Sequence, residues 1–172
     1  RGSLIGEERV INTTRMTGSG DGTGQLNPSV AVLSSGNYVV TWETNPAMDG
    51  FGQILDQQGQ PVGPEFTLTD GYCHNPGVLA LSDGGFFVHW RGRDSDSFGE
   101  KGRFFDSTGN PITGEFVIDQ NHWGNAFNGS ATQLDNGNIV LAWMQGWGDG
   151  DAYSMEARII TPTGGLVGTE FQ

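Results

Sequence analysis

The sequence of 172 residues predicts an all-β chain of three four-stranded repeat units preceded by one extra strand. Three observations carry this expectation. Residues 25–42 (QLNPSVAVLSSGNYVVTW) match 73–90 (CHNPGVLALSDGGFFVHW) and 126–143 (AFNGSATQLDNGNIVLAW) without a gap. Each copy sets a Gly-containing turn between β-branched and aromatic runs, which is the sequence signal of a hairpin. No stretch carries apolar residues at i, i+3, i+4 and i+7 over a helix length, and residues 154–160, the best helix formers, align with strands in both other copies.

Taken in order, the lone strand spans 4–12, because Ile5-Gly6-Glu7-Glu8-Arg9-Val10-Ile11 matches Val62-Gly63-Pro64-Glu65-Phe66-Thr67-Leu68. Unit one covers 25–71, unit two 72–121 and unit three 122–172. The first hairpin of each unit turns at Ser34-Ser35-Gly36-Asn37, Ser82-Asp83-Gly84-Gly85 and Asp135-Asn136-Gly137-Asn138. Gly supplies the positive φ that such turns require. A second block then repeats as strand, Gly turn, strand: FGQILDQQGQPVGPEF (51–66), KGRFFDSTGNPITGEF (101–116) and EARIITPTGGLVGTEF (156–171). Gly59, Gly109 and Gly164 align there, as do Glu65, Glu115 and Glu170. Only the link between the two blocks varies in length.

Composition narrows the function classes. The chain has 20 Asp and Glu against 8 Lys and Arg, a net charge of −12, so a phosphate backbone is a poor partner and nucleic-acid binding is excluded as a leading idea. Apolar runs are short, as at Tyr38-Val39-Val40, so no membrane insertion is expected. A hydrophobic fraction of 35% with five Trp and ten Phe speaks against disorder. The single Cys73 excludes an internal disulfide and a Cys-based zinc site. A start at Arg1-Gly2-Ser3, with no signal-like segment at either end, reads as a processed product or an excised piece.

The repeat resembles a unit found in very large secreted or surface-displayed proteins of bacteria and some protists. Its pattern runs Asn-Pro-x-Val-Ala-x-Leu-x-x-Gly-x-x-Val-Val-x-Trp, then Asp-Gly-x-Gly, Gln-x-x-Asp, Gly and Gly-x-Glu-Phe. Unit one carries it as Asn27-Pro28, Val39-Val40, Trp42, Asp49-Gly50-Phe51-Gly52, Gln53, Asp56, Gly63 and Glu65-Phe66. Unit two departs at Asp96-Ser97 and Arg103; unit three departs at Gly129, Arg158 and Thr161. The resemblance implies β-propeller-like blades in adhesin-type proteins, an extracellular or cell-surface setting, and no enzymatic chemistry.

Four strands in about fifty residues suit a propeller blade, but closed propellers usually have four or more blades. Three units therefore close with a second chain, with neighbouring units of a longer chain, or among themselves as a β-trefoil. The expected function is a non-enzymatic extracellular repeat module of a surface, adhesive or filament-forming protein, assembling by protein–protein contacts through strand edges, by self-association or with neighbouring repeat units. The extra N-terminal strand is a ready donor to an open sheet edge. The alternative is a carbohydrate-binding module taking a glycan.

Candidate site residues follow. Trp42, Trp90 and Trp143 recur at one position, as a core layer requires. Glu8, Glu65, Glu115 and Glu170 recur too, as carboxylates that accept hydrogen bonds between units. Trp123 and Trp147 have no counterpart in the other units; with Asn125 and Gln145 nearby they suggest ring stacking and polar clamps for a sugar, or a Trp folded over its own blade. Asp94 with Asp96, and Asp149 with Asp151, place paired carboxylates where a weak Ca²⁺ site or a solvated acidic turn would lie. Asn12 and Asn128 head N-glycosylation triplets. His74, His89 and His122 show no metal-ligand spacing, no nucleophile or phosphate-loop motif occurs, and no catalytic residue is expected.

Overall fold

A computed structural model of the chain describes residues 7–13, 24–94, 97–120, 125–146 and 152–171. Among these residues there is no helix, and every regular element is a strand. Blade one comprises β1 (Gly24–Val32), β2 (Tyr38–Asn45), β3 (Gly50–Leu55) and β4 (Phe66–Thr67). Blade two comprises β5 (His74–Ala80), β6 (Phe86–Arg93), β7 (Phe98–Phe105) and β8 (Phe116–Val117). Blade three comprises β9 (Ala126–Gln133), β10 (Ile139–Gly146), β11 (Tyr153–Ile160) and β12 (Leu166–Phe171). Each blade is one antiparallel sheet whose strands lie in sequence order. β1 packs beside β5 and β5 beside β9, so the first strand of every sheet is the inner one. This is a propeller-like arrangement of three separate sheets, and the threefold trefoil closure is set aside.

Local chemistry explains the repeated irregularities. A break in register interrupts each first pair of strands, between Leu26 and Ser29, His74 and Gly77, and Ala142 and Met144. Asn27, Asn75 and Asn128 sit at those breaks with φ of 51°, 51° and 55°, a left-handed conformation that Asn tolerates better than most residues. The later turns are tied by their own side chains. Asp106 Oδ1 accepts from the N–H groups of Thr108 at 2.8 Å and Asn110 at 3.0 Å, and Asp56 does the same for Gln58 and Gln60. Thr161 takes over in blade three, with Oγ1 accepting from Gly165 N at 2.9 Å.

The core lies between blades. The back of blade one (Leu33, Val39, Ile54, with Leu68 from the exit segment) packs on the front of blade two (Phe86, Val88, Trp90, Phe105), and Cys73 fills the join. The back of blade two (Leu81, Phe87, Phe104, Ile118) packs on the front of blade three (Ile139, Leu141, Trp143, Ile160) in the same way. Trp42, Trp90 and Trp143 are all buried, as a repeated core layer demands. On the front of blade one a smaller cluster of Val40, Trp42 and Leu55 is covered by Ile11.

One expectation is corrected here. Residues 7–13 form no strand; within the described part of 4–12 the chain is irregular. In its matching segment only Phe66 and Thr67 form a strand, and they do so by pairing with Gly52 and Phe51 of their own blade. Residues 7–13 pair with no third strand of that kind among the described residues, so the sequence match reproduces the packing of Leu68 through Ile11 without the ladder.

Removing a buried ring from between two blades leaves a cavity that rigid sheets cannot close, so Trp90→Ala is expected to cost about 3–5 kcal/mol in denaturant unfolding. Burial, followed by the nearby charges of Glu43, Glu115, Asp49 and Glu100, pushes the Cys73 thiol far above its ordinary pKa. A thiol held protonated and covered does not react, so native protein at neutral pH should leave a thiol reagent unconsumed until denaturant opens the first interblade join. Stoichiometric labelling of native protein within the mixing time would contradict that packing.

Candidate functional site

The repeated glutamates latch one blade to the segment that enters it. Glu115 accepts a hydrogen bond from the backbone N–H of Asp70, and its carboxylate lies 3.6 Å from Lys101 Nζ. Glu170 accepts from Gln120 N and lies 3.8 Å from Arg158 Nη1. Glu65 accepts from Thr13 N. Thr13, Asp70 and Gln120 are equivalent positions, so residues 7–13 sit on blade one as the exit segments of blades one and two sit on blades two and three. The expectation that these carboxylates bond between units therefore holds for Glu65, Glu115 and Glu170.

Two blade faces lack the cover their counterparts have. On the front of blade one, Val30 and Val32 are 62% and 68% exposed, whereas Val78 and Ala80 in blade two are packed against blade one. On the back of blade three, Leu134 is 37% exposed, whereas Leu33 and Leu81 at the same position are at most 5% exposed. Phe171 is 48% exposed, while Phe66 and Phe116 pack against the next blade's core. The front of blade one also holds a cavity of about 140 Å³ lined by Ile11, Asn12, Gln25, Leu26, Pro28, Val40 and Trp42.

A second feature lies where the inner strands converge. Asn27, Asn75 and Asn128, with Pro28, Ser29, Pro76, Gly77 and Gly129, line an open cavity of about 350 Å³. Asn75 Nδ2 donates to Asn128 Oδ1 at 3.4 Å. Behind this rim the buried Glu43 accepts from Asn27 Nδ2 at 3.0 Å and from Asn75 N, and His74 Nδ1 lies 2.9 Å from it. Between blades two and three, His89 Nδ1 lies 3.5 Å from the buried Glu100. Gly129 leaves room for this pair, since a Cβ there would stand 2.7 Å from Glu100 Oε1 and 2.8 Å from His89 Nδ1. Neither glutamate belongs to the repeated set: Glu43 aligns with Arg91 and Met144, and Glu100 with Gly50 and Met155. That singularity was visible in the sequence, but nothing there placed either residue near the axis.

The residues singled out from the sequence fall as follows. Asn125 accepts from Arg91 Nη2 at 3.0 Å and Ser97 Oγ at 3.2 Å, and Arg91 itself lies between the rings of Phe98 and Phe127, 4.6 Å from each. Gln145 is fully buried and accepts from Trp143 Nε1 at 3.1 Å. Asp94 closes a local turn, Oδ1 accepting from Ser97 N at 2.7 Å. Asn128 is on the axial rim, and Asn12 is half-buried beside Ile11. Trp123, Trp147, Asp96, Asp149 and Asp151 lie outside the described residues. The acids brought together instead are Asp119, Glu156 and Glu170, each with a carboxylate oxygen within 4.8 Å of the others, and Arg158 Nη1 lies 3.8 Å from Glu170. The signal for that cluster was Glu156, which stands opposite the core Trp where blade two has Lys101.

No family model and no curated protein matches the chain. Solved structures do match in fold. One is a protein of unknown function from Dyadobacter fermentans (TM-score 0.63, 15% identity, 82% of this chain and 39% of that one). A second is an endo-1,4-β-xylanase from Bacteroides thetaiotaomicron (0.56, 10%, 85% and 59%). A third is an endo-arabinase from the same organism (0.55, 12%, 78% and 55%). The chain thus spans between about two fifths and three fifths of the length of these proteins. The expectation that the blades go with an absence of enzymatic chemistry is overturned, because the same arrangement forms part of proteins named as an endo-1,4-β-xylanase and an endo-arabinase. What these likenesses establish for this chain is the fold: an all-β, propeller-like set of three four-stranded sheets.

Proposed function

We propose that the chain is a propeller segment of an extracellular or cell-surface repeat protein and that it works by assembly, docking its two uncovered blade faces onto further blades. The observation that carries this reading is the inequality of equivalent positions. Leu33 and Leu81 are buried by a following blade while Leu134 is not, and Val78 and Ala80 are packed by a preceding blade while Val30 and Val32 are exposed. Apolar faces of this kind mark interaction surfaces. The resemblance of the repeat to adhesin-type units supports the same reading, as does an acidic surface with a net charge of −12 that repels nucleic acid.

Two complete chains joined in tandem by a flexible linker test it. Burying Leu134 and Phe171 against Val30 and Val32 contributes about 1.5–3 kcal/mol for each side chain fully covered, before the cost of ordering the linker. The tandem should therefore melt higher than the single chain, by roughly 2–4 °C for each kcal/mol retained. Equal melting temperatures would show that the faces do not dock.

A second reading rests on the axial cavity, which is lined by three Asn side chains, with the buried Glu43 hydrogen-bonded behind two of them, in a fold similar to that of proteins named xylanase and endo-arabinase. It makes the chain a polysaccharide-directed segment. Xylan and arabinan offered in affinity electrophoresis and in a reducing-sugar assay should then give retardation or product that Asn75→Ala lowers. Neither retardation nor product with both polymers would remove this reading.

A further inference from the structure

Resting on the assembly reading, we propose that the partner is a second copy of this chain, joined head-to-tail: the back of blade three of one copy docks on the front of blade one of the other, seating Phe171 on the Gly59 turn. Among the described residues the molecule makes one ring-on-turn contact twice and leaves its third instance unmade. Phe66, at the end of blade one, lies over the turn of blade two, where a Cβ on Gly109 would stand 2.7 Å from its ring. The same ring packs at 6.0 Å from Phe86 and 5.8 Å from Phe105. Phe116, at the end of blade two, lies over the turn of blade three, where a Cβ on Gly164 would stand 3.1 Å from its ring. Gly59 is the equivalent turn of blade one and has φ of +75°, yet a Cβ there would meet only Tyr38 Oη, at 3.3 Å. Phe171 is the equivalent ring of blade three and is half exposed.

Ring and turn are thus left over as a matched pair on opposite ends of one molecule. Beside Gly59 lies a cavity of about 290 Å³ bounded by Tyr38, Gln57, Gln58, Ile11, Glu7 and Arg9. It occupies the place that Phe66 fills on blade two, since Tyr38 aligns with Phe86 and Gly59 with Gly109. Arg9, the residue of the entering segment that aligns with Phe66, lines the cavity without filling it, so seating Phe171 there displaces Glu7 and Arg9 from its wall. The flanking surfaces match as well. Leu134, Val140 and Ile159 on blade three correspond to Leu81, Phe87 and Phe104 of blade two; the last three bury themselves on the next blade, while Leu134 is exposed and Val140 and Ile159 are half-buried. They would meet Val30 and Val32, the counterparts of residues already covered at the first join. The proposed interface is therefore a third instance of the interface that holds the blades together. It is heterologous, one plug and one socket per chain, so two copies close a six-bladed ring if the rotation closes, and successive copies build a filament if it does not.

Heterologous pairing has a signature that an isologous dimer lacks. Val32→Arg blocks the socket and leaves the plug; Phe171→Arg blocks the plug and leaves the socket. By sedimentation velocity the wild type should run larger than one chain, each variant alone should run as a monomer, and an equimolar mixture of the two should recover a one-to-one dimer. Phe171→Tyr should keep the wild-type behaviour. Recovery in the mixture also shows that both variants are folded, since only folded faces can pair. A variant that still self-associates, or a mixture that stays monomeric while both variants melt cooperatively, would overturn the head-to-tail contact. A wild type that is monomeric at every concentration tried, when the tandem protein nevertheless gains stability, would overturn the second copy as partner and leave blade docking standing. A monomeric wild type with an unstabilised tandem would end both.

Discussion

Burial of a sheet on both of its faces is the constraint on which everything else in this molecule depends. A four-stranded blade here is apolar in front, through residues such as Val88 and Trp90, and apolar behind, through Phe87 and Phe104. Such a sheet has no face to give to water and is completed only by neighbours on either side. Blade two has both neighbours and holds a nearly continuous set of fully buried rings: Phe86, Phe87, Trp90, Phe104 and Phe105. Blades one and three each have one. The repeat is therefore the unit of folding and the interface is the unit of stability, as in other repeat architectures.

Polar groups set the register of those interfaces. The latch from Glu115 to Asp70 N, and from Glu170 to Gln120 N, fixes where the chain crosses from one blade to the next. A carboxylate that accepts a backbone N–H satisfies a donor the crossing would otherwise strand. Glu65 makes the same bond to Thr13, so the entering segment is held as though a blade preceded it, and Ile11 fills the place that Leu68 and Ile118 fill elsewhere. Nearer the axis the polar groups differ from blade to blade. Glu43 with His74 and Glu100 with His89 break the repeat, and with it the equivalence of the joins.

The arrangement is similar in fold to proteins named as a xylanase and an endo-arabinase. A scaffold does not choose its chemistry; the side chains at its axis and on its loops do. In this chain the axial rim is made of amides, Asn27, Asn75 and Asn128, held in a conformation that the register breaks impose. The uncovered faces are made of aliphatic and aromatic groups. These two surfaces, one polar and one apolar, separate the two readings of function.

By itself the sequence determined what depends on local periodicity. The gapless match ending at Trp42, Trp90 and Trp143 fixed the strands, the turns and the buried layer, because alternation and Gly turns are written residue by residue. It also marked the repeated glutamates as bonds between units. What only the tertiary structure decided depends on partners distant in the chain. Whether residues 7–12 form a strand turns on a neighbour that no local pattern supplies. Asn125 and Gln145 read as loop polar groups fit to clamp a sugar, yet they meet Arg91 and Trp143. The gathering of Asp119, Glu156 and Glu170, the burial of Glu43 and Glu100, and the exposure of Leu134 where Leu33 and Leu81 are covered are all long-range facts. A repeat makes its units equal in sequence; only their order in space makes the first and the last different, because burial belongs to neighbours and not to residues.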